Sequence, residues 1–449
     1  MKNATDFDWR TKDEQFVWHA MSPYNPQNTM IIEKSEGVWV TDIDGNRYLD
    51  AMAGLWCVNV GYGREEIAKA AYNQLVQNCY TPLSYSHTSA ILLSEKISEL
   101  LGGDYVVFYS NSGSEANEVA FKIARQYHKQ TGQHERTKII SRYRAYHGNT
   151  SASLAATGQA QRKFKYEGLA PGFLHVTPPD MYRSPEEVEN PIDLPSVQEV
   201  DRTMTWELSE TIAAMIMEPI ITGGGVLVPN DQYLKGIREV CDKHGALMIV
   251  DEVICGFGRT GKAFGFQNYG VQPDIITMAK GLTSAYMPLS ATAVKREIYE
   301  AFMAAGDYEF LRHVNTFGGS PAACAVALKN IEIMEREQLF TRSEEMGAIL
   351  FEELTERLAN HPHVGNIRGK GLLVGIELVE DKQTKKPVDI SYTNAIIAAC
   401  KKQGVIIGKN GTTTAGFNNV LTLSPPLTLT IEEKNTIVEA LANAFAQHQ

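Results

Sequence analysis

The N-terminal part of the chain combines two kinds of hydrophobic pattern. In residues 38–50, apolar and polar side chains alternate on both sides of Asp44-Gly45-Asn46. Alternation is typical of strands and Asp-Gly is a preferred hairpin turn, so this segment is predicted to be a β-hairpin. In residues 64–78 and 91–101, apolar side chains recur at helical spacing instead. That spacing predicts two amphipathic helices.

From Tyr105 onward, short runs rich in β-branched or aromatic residues alternate with helical segments. This alternation predicts an α/β fold with a mostly parallel sheet covered by helices. Ligands of such sheets bind at the carboxyl ends of the strands, so the chemistry is expected just after each strand. The predicted strands are 105–109, 138–141, 213–218, 247–250 and 274–278, and the helices start at Ser114 and span 233–243.

The pattern changes again at about residue 330. Charged helices are predicted over 331–358, followed by a strand over 372–378, a further helix and a final strand. We therefore expect a large domain that contains the sheet and a smaller α+β domain that both termini build. The expected division is 1–59 and 326–449 for the smaller part, and 60–325 for the large domain.

Composition and charge narrow the class of protein. The 449 residues are 43% hydrophobic and 21% charged, which is ordinary for a globular protein with a large core. The net charge of -11 argues against nucleic-acid binding, which needs a basic surface. The six cysteines lack a zinc or redox spacing, the N-terminus lacks the order of a signal peptide, and no run of about 18 apolar residues occurs. The sequence therefore predicts a cytoplasmic protein without a metal site or a membrane span.

Three predicted strand ends carry candidate chemistry. Ser112-Gly113-Ser114 separates a strand from a helix, where free amides favour an anion, although a plain helix cap would have the same sequence. Asp251 and Lys280 each end an apolar strand, and each is either buried beside a ligand or simply solvated. Together, a phosphate cradle, an acid for a pyridine nitrogen and a lysine for a Schiff base are the three groups that pyridoxal 5'-phosphate (PLP) needs.

Residues 256–261 match the glycine-rich dinucleotide fingerprint Gly-x-Gly-x-x-Gly. That fingerprint requires a helix directly after it. The stretch that follows, 262–266, is rich in Gly and Phe and lacks helical periodicity. Nicotinamide or flavin binding is therefore disfavoured.

In addition, the sequence resembles the class III aminotransferases of fold type I, and most closely their ω-amino acid or amine:pyruvate branch. The resemblance runs from about Trp39 to the C-terminus. The blocks that carry it are Gly54-Leu55-Trp56-Cys57-Val58-Asn59-Val60-Gly61-Tyr62-Gly63, 111–115, Tyr146-His147-Gly148, Glu218-Pro219, 251–261, Ala279-Lys280-Gly281-Leu282 and Asn315-Thr316-Phe317.

The resemblance implies a role for each matched residue. Lys280 would hold PLP as a Schiff base and, once released, would move the proton on the substrate. Asp251 would pair with the pyridine nitrogen of the cofactor. Ser112, Gly113 and Ser114 would form the phosphate cradle. Tyr146 and Val253 would contact the two faces of the cofactor ring, and Glu218 would support the polar groups near Asp251.

Further implied roles concern the substrate and a second subunit. Leu55 and Trp56 would line the substrate entrance, together with Tyr146. Thr316 would reach the phosphate bound by the neighbouring subunit, so the resemblance implies a homodimer with shared active sites. Members of this branch carry an arginine for the substrate carboxylate shortly before the Pro-Pro-Leu segment. That arginine is absent here, where the sequence reads Ile407-Gly408-Lys409-Asn410 and continues with a polar run, 411–419. Lys409 is therefore one candidate for binding the carboxylate, and Arg162 is a more distant one.

The implied reaction is ping-pong transfer of an amino group from an ω-amino acid or amine to pyruvate or a similar 2-oxo acid. One alternative is adenosylmethionine-8-amino-7-oxononanoate (diaminopelargonate) aminotransferase of biotin synthesis, whose relatives carry paired tryptophans where this chain has Leu55-Trp56-Cys57. A second alternative keeps PLP but decarboxylates its substrate or shifts an amino group internally. A third is a nucleotide-binding protein that uses the glycine-rich loop.

Overall fold

The structure, a computed structural model, describes residues 8–21, 25, 29–304, 306–410 and 416–448. Its strands are β1 (Ile32–Glu36), β2 (Trp39–Asp42), β3 (Arg47–Asp50), β4 (Tyr105–Ser110), β5 (Lys138–Arg142), β6 (Phe173–Val176), β7 (Ile212–Met217), β8 (Leu247–Asp251), β9 (Ile275–Met278), β10 (Ser290–Lys295), β11 (Val364–Gly369), β12 (Val374–Asp381), β13 (Lys386–Pro387), β14 (Val405–Ile406), β15 (Gly408–Lys409) and β16 (Val420–Leu423). Its α-helices are α1 (Trp9–Phe16), α2 (Ala53–Trp56), α3 (Glu65–Gln77), α4 (Thr88–Leu101), α5 (Gly113–Gln130), α6 (Ser151–Ala156), α7 (Ala160–Lys163), α8 (Pro195–Trp206), α9 (Tyr233–His244), α10 (Arg296–Glu300), α11 (Pro321–Arg336), α12 (Leu339–Leu358), α13 (Ile390–Lys402) and α14 (Ile431–Ala446). Short 3-10 helices lie at Pro191–Asp193, Ser209–Thr211, Gly265–Tyr269 and Lys280–Leu282.

The central sheet has the strand order β4-β10-β9-β8-β7-β5-β6. Strands β9, β8, β7, β5 and β6 run parallel, whereas β10 is antiparallel to both of its neighbours. Every residue of β7 and β8 is buried, as expected of strands that are covered on both faces and are apolar except for Asp251 at the end of β8. The prediction of a mostly parallel α/β sheet is confirmed, and the chain has the architecture of fold type I.

Two strands of this sheet escaped the sequence analysis. Strand β10 reads Ser-Ala-Thr-Ala-Val-Lys, and its small residues give no clear strand pattern. Strand β6 is only Phe-Leu-His-Val at the sheet edge. Both are strands because they pair with longer neighbours, which is a tertiary effect.

The predicted N-terminal hairpin and helices are present, whereas the C-terminal part differs from the prediction, and α1, β1, α8 and β11 were not predicted. The hairpin is formed by β2 and β3, and the two N-terminal amphipathic helices are α3 and α4. The charged helices begin earlier than predicted, at Pro321, and are separated near Gln338, whose φ of 53° interrupts the helix. The chain also continues past the predicted final strand into helix α14.

Both termini contribute to the structure outside the central sheet. In the sheet β1-β2-β3-β14, β14 from the C-terminal part pairs in parallel with β3 from the N-terminal part. A further sheet, β11-β12-β16-β15, belongs wholly to the C-terminal part. We propose the division into 1–59, 60–325 and 326–449 on this basis, although the second boundary falls within α11.

None of the helices in the described part of the chain combines the length and apolar character that crossing a bilayer requires.

Candidate active site

Lys280 follows β9 and begins the 3-10 turn Lys280–Leu282. Its φ of 43° is in the left-handed region, which a lysine adopts only when its surroundings enforce it. Its Nζ donates to the carbonyl of Leu55 at 2.9 Å and lies 5.2 Å from the ring centroid of Trp56. Burial lowers the pKa of Lys280, which favours the free amine that attacks a carbonyl group.

Asp251 ends β8 and is 4% exposed. Its Oδ2 accepts from Asn117 Nδ2 and from His147 Nδ1, both at 2.9 Å, and its Oδ1 accepts from the Val253 amide at 3.1 Å. These three hydrogen bonds fix the orientation of the buried carboxyl group. A cationic group of a ligand would therefore find a preorganised partner here.

Asn117 and His147 are functional candidates that sequence reasoning missed. Asn117 also donates to the His147 carbonyl at 2.7 Å and accepts from Thr277 Oγ1 at 2.7 Å, so its amide is fully oriented. His147 is 2% exposed, and its Nε2 has no hydrogen-bond partner within the described residues. A polar side chain on the buried face of α5 was the available signal for Asn117, and the family block at 146–148 was the signal for His147.

Glu218 lies just past β7 and is buried. Its Oε1 accepts from the Tyr146 amide at 3.1 Å and its Oε2 from the Thr222 amide at 3.0 Å. Burial raises the pKa of Glu218, and the nearby Asp251 charge acts in the same direction. The carboxyl group therefore fixes the backbone of Tyr146.

The N-terminus of α5 is the candidate anion cradle. Ser112 is the N-cap, since its Oγ accepts from the Glu115 amide at 3.3 Å, and the first-turn amides of Gly113 and Ser114 have no acceptor within the helix. A Cβ on Gly113 would lie 2.9 Å from a methyl group of Val253, so only glycine lets the end of β8 approach so closely. Ser114 Oγ exchanges hydrogen bonds of 3.1 Å with Asn149. The cradle and Asp251 are thus held together through Val253.

The two candidates for carboxylate binding lie in different surroundings. The Arg162 guanidinium lies 4.7 Å over the ring of Tyr146, and its Nε donates to Gln159 Oε1 at 2.6 Å. Lys409, on β15, donates to Asn394 Oδ1 on α13 at 2.5 Å, and burial lowers its pKa. The structure therefore brings Arg162 to Tyr146 and directs Lys409 towards α13. The first half of the polar run, 411–415, lies outside the described residues.

Leu55, Trp56 and Thr316 complete the set of predicted residues. Leu55 is 60% exposed, and Trp56 has a φ of 57° and a buried Nε1 without a partner in the described chain. Both lie beside Lys280 through the contacts given above. Thr316 is exposed, and its carbonyl accepts from Tyr80 Oη at 2.9 Å. The described contacts of Thr316 do not reach Lys280 or Asp251 of its own chain.

Comparison with known proteins assigns the family. The sequence profile described as "Aminotransferase class-III" matches residues 20–445. The chain belongs to the class III aminotransferases. It is 64% identical over 436 residues to the aminotransferase YhxA of Bacillus subtilis (strain 168), with 97% of this chain and 96% of the relative covered. A solved structure of a Bacillus anthracis aminotransferase is 63% identical, covers 100% of both chains and superposes with a TM-score of 0.98. A taurine--pyruvate aminotransferase of Bilophila wadsworthia (strain 3_1_6) is 42% identical over 436 residues, with 96% of each chain covered.

Membership in the class III aminotransferases confirms the prediction of a transaminase. The glycine-rich loop 256–261 is not followed by the helix that a dinucleotide fingerprint requires, since the segment between Gly261 and β9 contains only the 3-10 helix Gly265–Tyr269. The loop glycines meet other parts of the chain instead: a Cβ on Gly258 would lie 2.7 Å from Leu427 Cδ1.

Proposed function

We propose that this aminotransferase transfers an amino group from an ω-amino acid or amine to pyruvate or a similar 2-oxo acid, with PLP as its cofactor. The observation that carries the proposal is the convergence of three groups at the carboxyl ends of β4, β8 and β9. These groups are the amide cradle at Gly113, the buried carboxylate of Asp251 and the desolvated amine of Lys280.

The residues present fit PLP. The cradle at Ser112, Gly113 and Ser114 suits a phosphate, because helix dipole and free amides act together. Asp251 suits a protonated pyridine nitrogen, and Lys280 suits the aldehyde. PLP supplies that aldehyde and an electron-withdrawing ring. A PLP-bound amine transaminase from an uncultivated Pseudomonas species superposes with a TM-score of 0.91 at 35% identity, which supports this choice of cofactor.

The chain's own residues divide the remaining work. Lys280, once its amine is free, takes and returns the proton at the substrate carbon, a role that a lowered pKa suits near neutral pH. Tyr146 and Val253 would cover the two faces of the cofactor ring. Glu218 keeps Tyr146 in place through the 3.1 Å hydrogen bond from its amide.

The donor is proposed to carry an acidic group at the end away from the amine. Arg162 supports this, because its guanidinium already lies beside Tyr146 and can form two parallel hydrogen bonds with a carboxylate or sulfonate. The similarity to a taurine--pyruvate aminotransferase points to the same class of donor and to pyruvate as acceptor. The biotin-synthesis alternative has weaker support, since adenosylmethionine-8-amino-7-oxononanoate aminotransferase of Staphylococcus aureus (strain NCTC 8325 / PS 47) is 34% identical.

The enzyme is proposed to act as a homodimer whose subunits share their active sites. Two large side chains are exposed at the Thr316 segment: Phe317 by 65% and Tyr80 by 42%. Tyr80 is held against this segment, because its hydroxyl donates to the Thr316 carbonyl and its ring contacts Phe317. An exposed apolar surface of this kind is typical of an interface, and a second copy would bring Thr316 to its neighbour's cradle.

A donor panel tests the proposal. Purified enzyme with PLP and pyruvate would be assayed for alanine formation with taurine, β-alanine, putrescine and a neutral 1-arylalkylamine. In a separate reaction without pyruvate, S-adenosylmethionine plus 8-amino-7-oxononanoate would be assayed for formation of diaminopelargonate. We expect alanine from an ω-amino acid at the highest kcat/KM. Activity with the biotin-pathway pair and with none of the four amines would contradict the proposal, and so would product formation from any of the four amines without a 2-oxo acid.

A further inference from the structure

The glycine-rich loop 256–261 carries an arginine that the proposed reaction does not use. The Arg259 side chain is 0% exposed. Its Nη1 donates to the carbonyls of Leu372 at 2.9 Å and Pro425 at 2.6 Å, and its Nη2 donates to Asn59 Oδ1 at 2.8 Å. Within the described residues, no carboxylate lies within ion-pair distance of Arg259. A buried cation held by neutral acceptors is costly, so these contacts need a reason.

Asn59 connects this arginine to the turn that begins at Lys280. While its Oδ1 accepts from Arg259, its Nδ2 donates to the Phe257 carbonyl at 2.8 Å. A Cβ on Gly281 would lie 2.5 Å from Asn59 Nδ2 and 3.0 Å from Phe257 Cβ, so the backbone beside Lys280 packs directly on this amide. Because both ends of the Asn59 amide are engaged, its orientation is fixed by Arg259 and Phe257 together.

The opposite side of the same turn is held by Asn330. Its Nδ2 donates to the carbonyls of Gly281 at 2.8 Å and Leu282 at 2.9 Å, and its Oδ1 accepts from Ser284 Oγ at 2.7 Å. The turn is therefore clamped between two asparagines. Asn59 also fixes the segment that contains Leu55, whose carbonyl accepts from Lys280 Nζ.

We propose that Arg259 and Asn59 are positioning residues. Through the glycine-rich loop, they fix the position of Lys280 relative to the 55–59 segment. Arg259 acts through Asn59 and does not touch the substrate. Its contacts with Leu372 and Pro425 join the C-terminal part of the chain to the same point. The inference rests on the proposed role of Lys280 as the reactive amine.

The test measures the Lys280 amine itself. Full-length chain freed of cofactor is labelled with acetic anhydride at a series of pH values, and acetylation of the Lys280 peptide is quantified by mass spectrometry. The variants are Arg259→Lys, Asn59→Ala and the double variant. A lysine at position 259 replaces the two nitrogens that divide these three acceptors by a single nitrogen, and an alanine at 59 keeps Arg259 bound to both carbonyls. Arg342→Lys is the matched control, since Arg342 donates to the Leu429 carbonyl at 2.8 Å in the same region without contacting Asn59.

The labelling midpoint is the pH at which acetylation of Lys280 reaches half of its maximum. Arg259→Lys and Asn59→Ala are each expected to raise this midpoint by about one pH unit, because the loosened turn admits water to the amine. The double variant is expected to shift no further than either single one, because both act through one contact. Arg342→Lys should lower the Tm and leave the midpoint unchanged.

Midpoints equal to wild type in the two single variants, or shifts that add in the double variant, would overturn the inference. If Arg259→Lys does not fold, Asn59→Ala decides the matter by the same midpoint. The labelling needs neither turnover nor cofactor, so its result is separate from any failure of the donor panel.

Discussion

Replacing Asp251 by asparagine removes the buried negative charge and changes little else in shape. The asparagine oxygen can stay where Oδ2 accepts from Asn117 and His147, but its NH2 then faces the Val253 amide, which now donates to Asp251 at 3.1 Å. One hydrogen bond is lost, at about 1–3 kcal/mol. The larger effect is on the cofactor, because a buried cation that loses its partner costs about 3–5 kcal/mol.

At about 1.4 kcal/mol per factor of ten, Asp251→Asn is expected to weaken PLP binding by about a hundredfold to a few thousandfold. Turnover should fall as well, since a neutral amide does not keep the pyridine nitrogen protonated. The assay is an absorbance titration of cofactor-free protein with PLP, followed by kcat at saturating PLP.

Glu252→Gln is the matched control for Asp251→Asn. Glu252 is the next residue, but its carboxyl group accepts from the amides of Gly265 at 2.8 Å and Phe266 at 2.7 Å, away from Asp251's partners. Its PLP affinity should stay within about threefold of wild type, because the charge that faces the site is unchanged. Asp251→Asn with PLP affinity within tenfold of wild type would refute the reasoning and make Asp251 a structural acid.

Three further predictions concern charge and assembly. Arg162→Ala should lower kcat/KM for an ω-amino acid by about tenfold to a hundredfold and leave kcat/KM for a neutral amine nearly unchanged. Lys409→Ala should change kcat/KM little for either substrate. The reverse result would assign carboxylate binding to Lys409. In a mixed dimer of Thr316→Ala and Lys280→Ala subunits, the site with an intact Lys280 receives an intact Thr316 and should retain PLP normally, and impaired retention there would contradict the shared site. Burial raises the pKa of Glu252 to about 8, so the folded protein keeps this proton at pH values where an unfolded chain has lost it. The resulting contribution to stability is lost as pH rises towards 8, so the free energy of unfolding of Glu252→Gln should rise relative to that of wild type between pH 5 and 9. A difference in free energy of unfolding that stays constant across that range would refute the shift.

The sequence predicted the strand ends well because parallel strands buried on both faces are almost wholly apolar. In β8 and β9, that apolar run stops at Asp251 and shortly before Lys280, so the change in polarity marks the site itself. The start of α11 was missed although Pro321 at its first position is a helix-start signal, because the alanine-rich turn that follows has little amphipathic pattern.

The partners of the site residues were beyond sequence reasoning. Asn117 lies 134 positions before Asp251, and only the fold shows that its amide meets that carboxylate. Asn59 and Arg259 are likewise 200 positions apart, and only the fold shows that they contact each other. That contact gives the glycine-rich loop a structural role in place of the nucleotide binding that its sequence had suggested. Likewise, the positions of Arg162 and Lys409 along the chain do not tell which of them lies beside Tyr146.

The most direct test of the account is chemical trapping at Lys280. Enzyme incubated with PLP is reduced with sodium borohydride, digested and analysed by peptide mass spectrometry, with Lys280→Ala treated in parallel. We expect a phosphopyridoxyl group on the peptide that contains Lys280, and neither trapped cofactor nor transaminase activity in Lys280→Ala. Trapping on another lysine, or wild-type activity in Lys280→Ala, would contradict the assignment on which the proposed site is built.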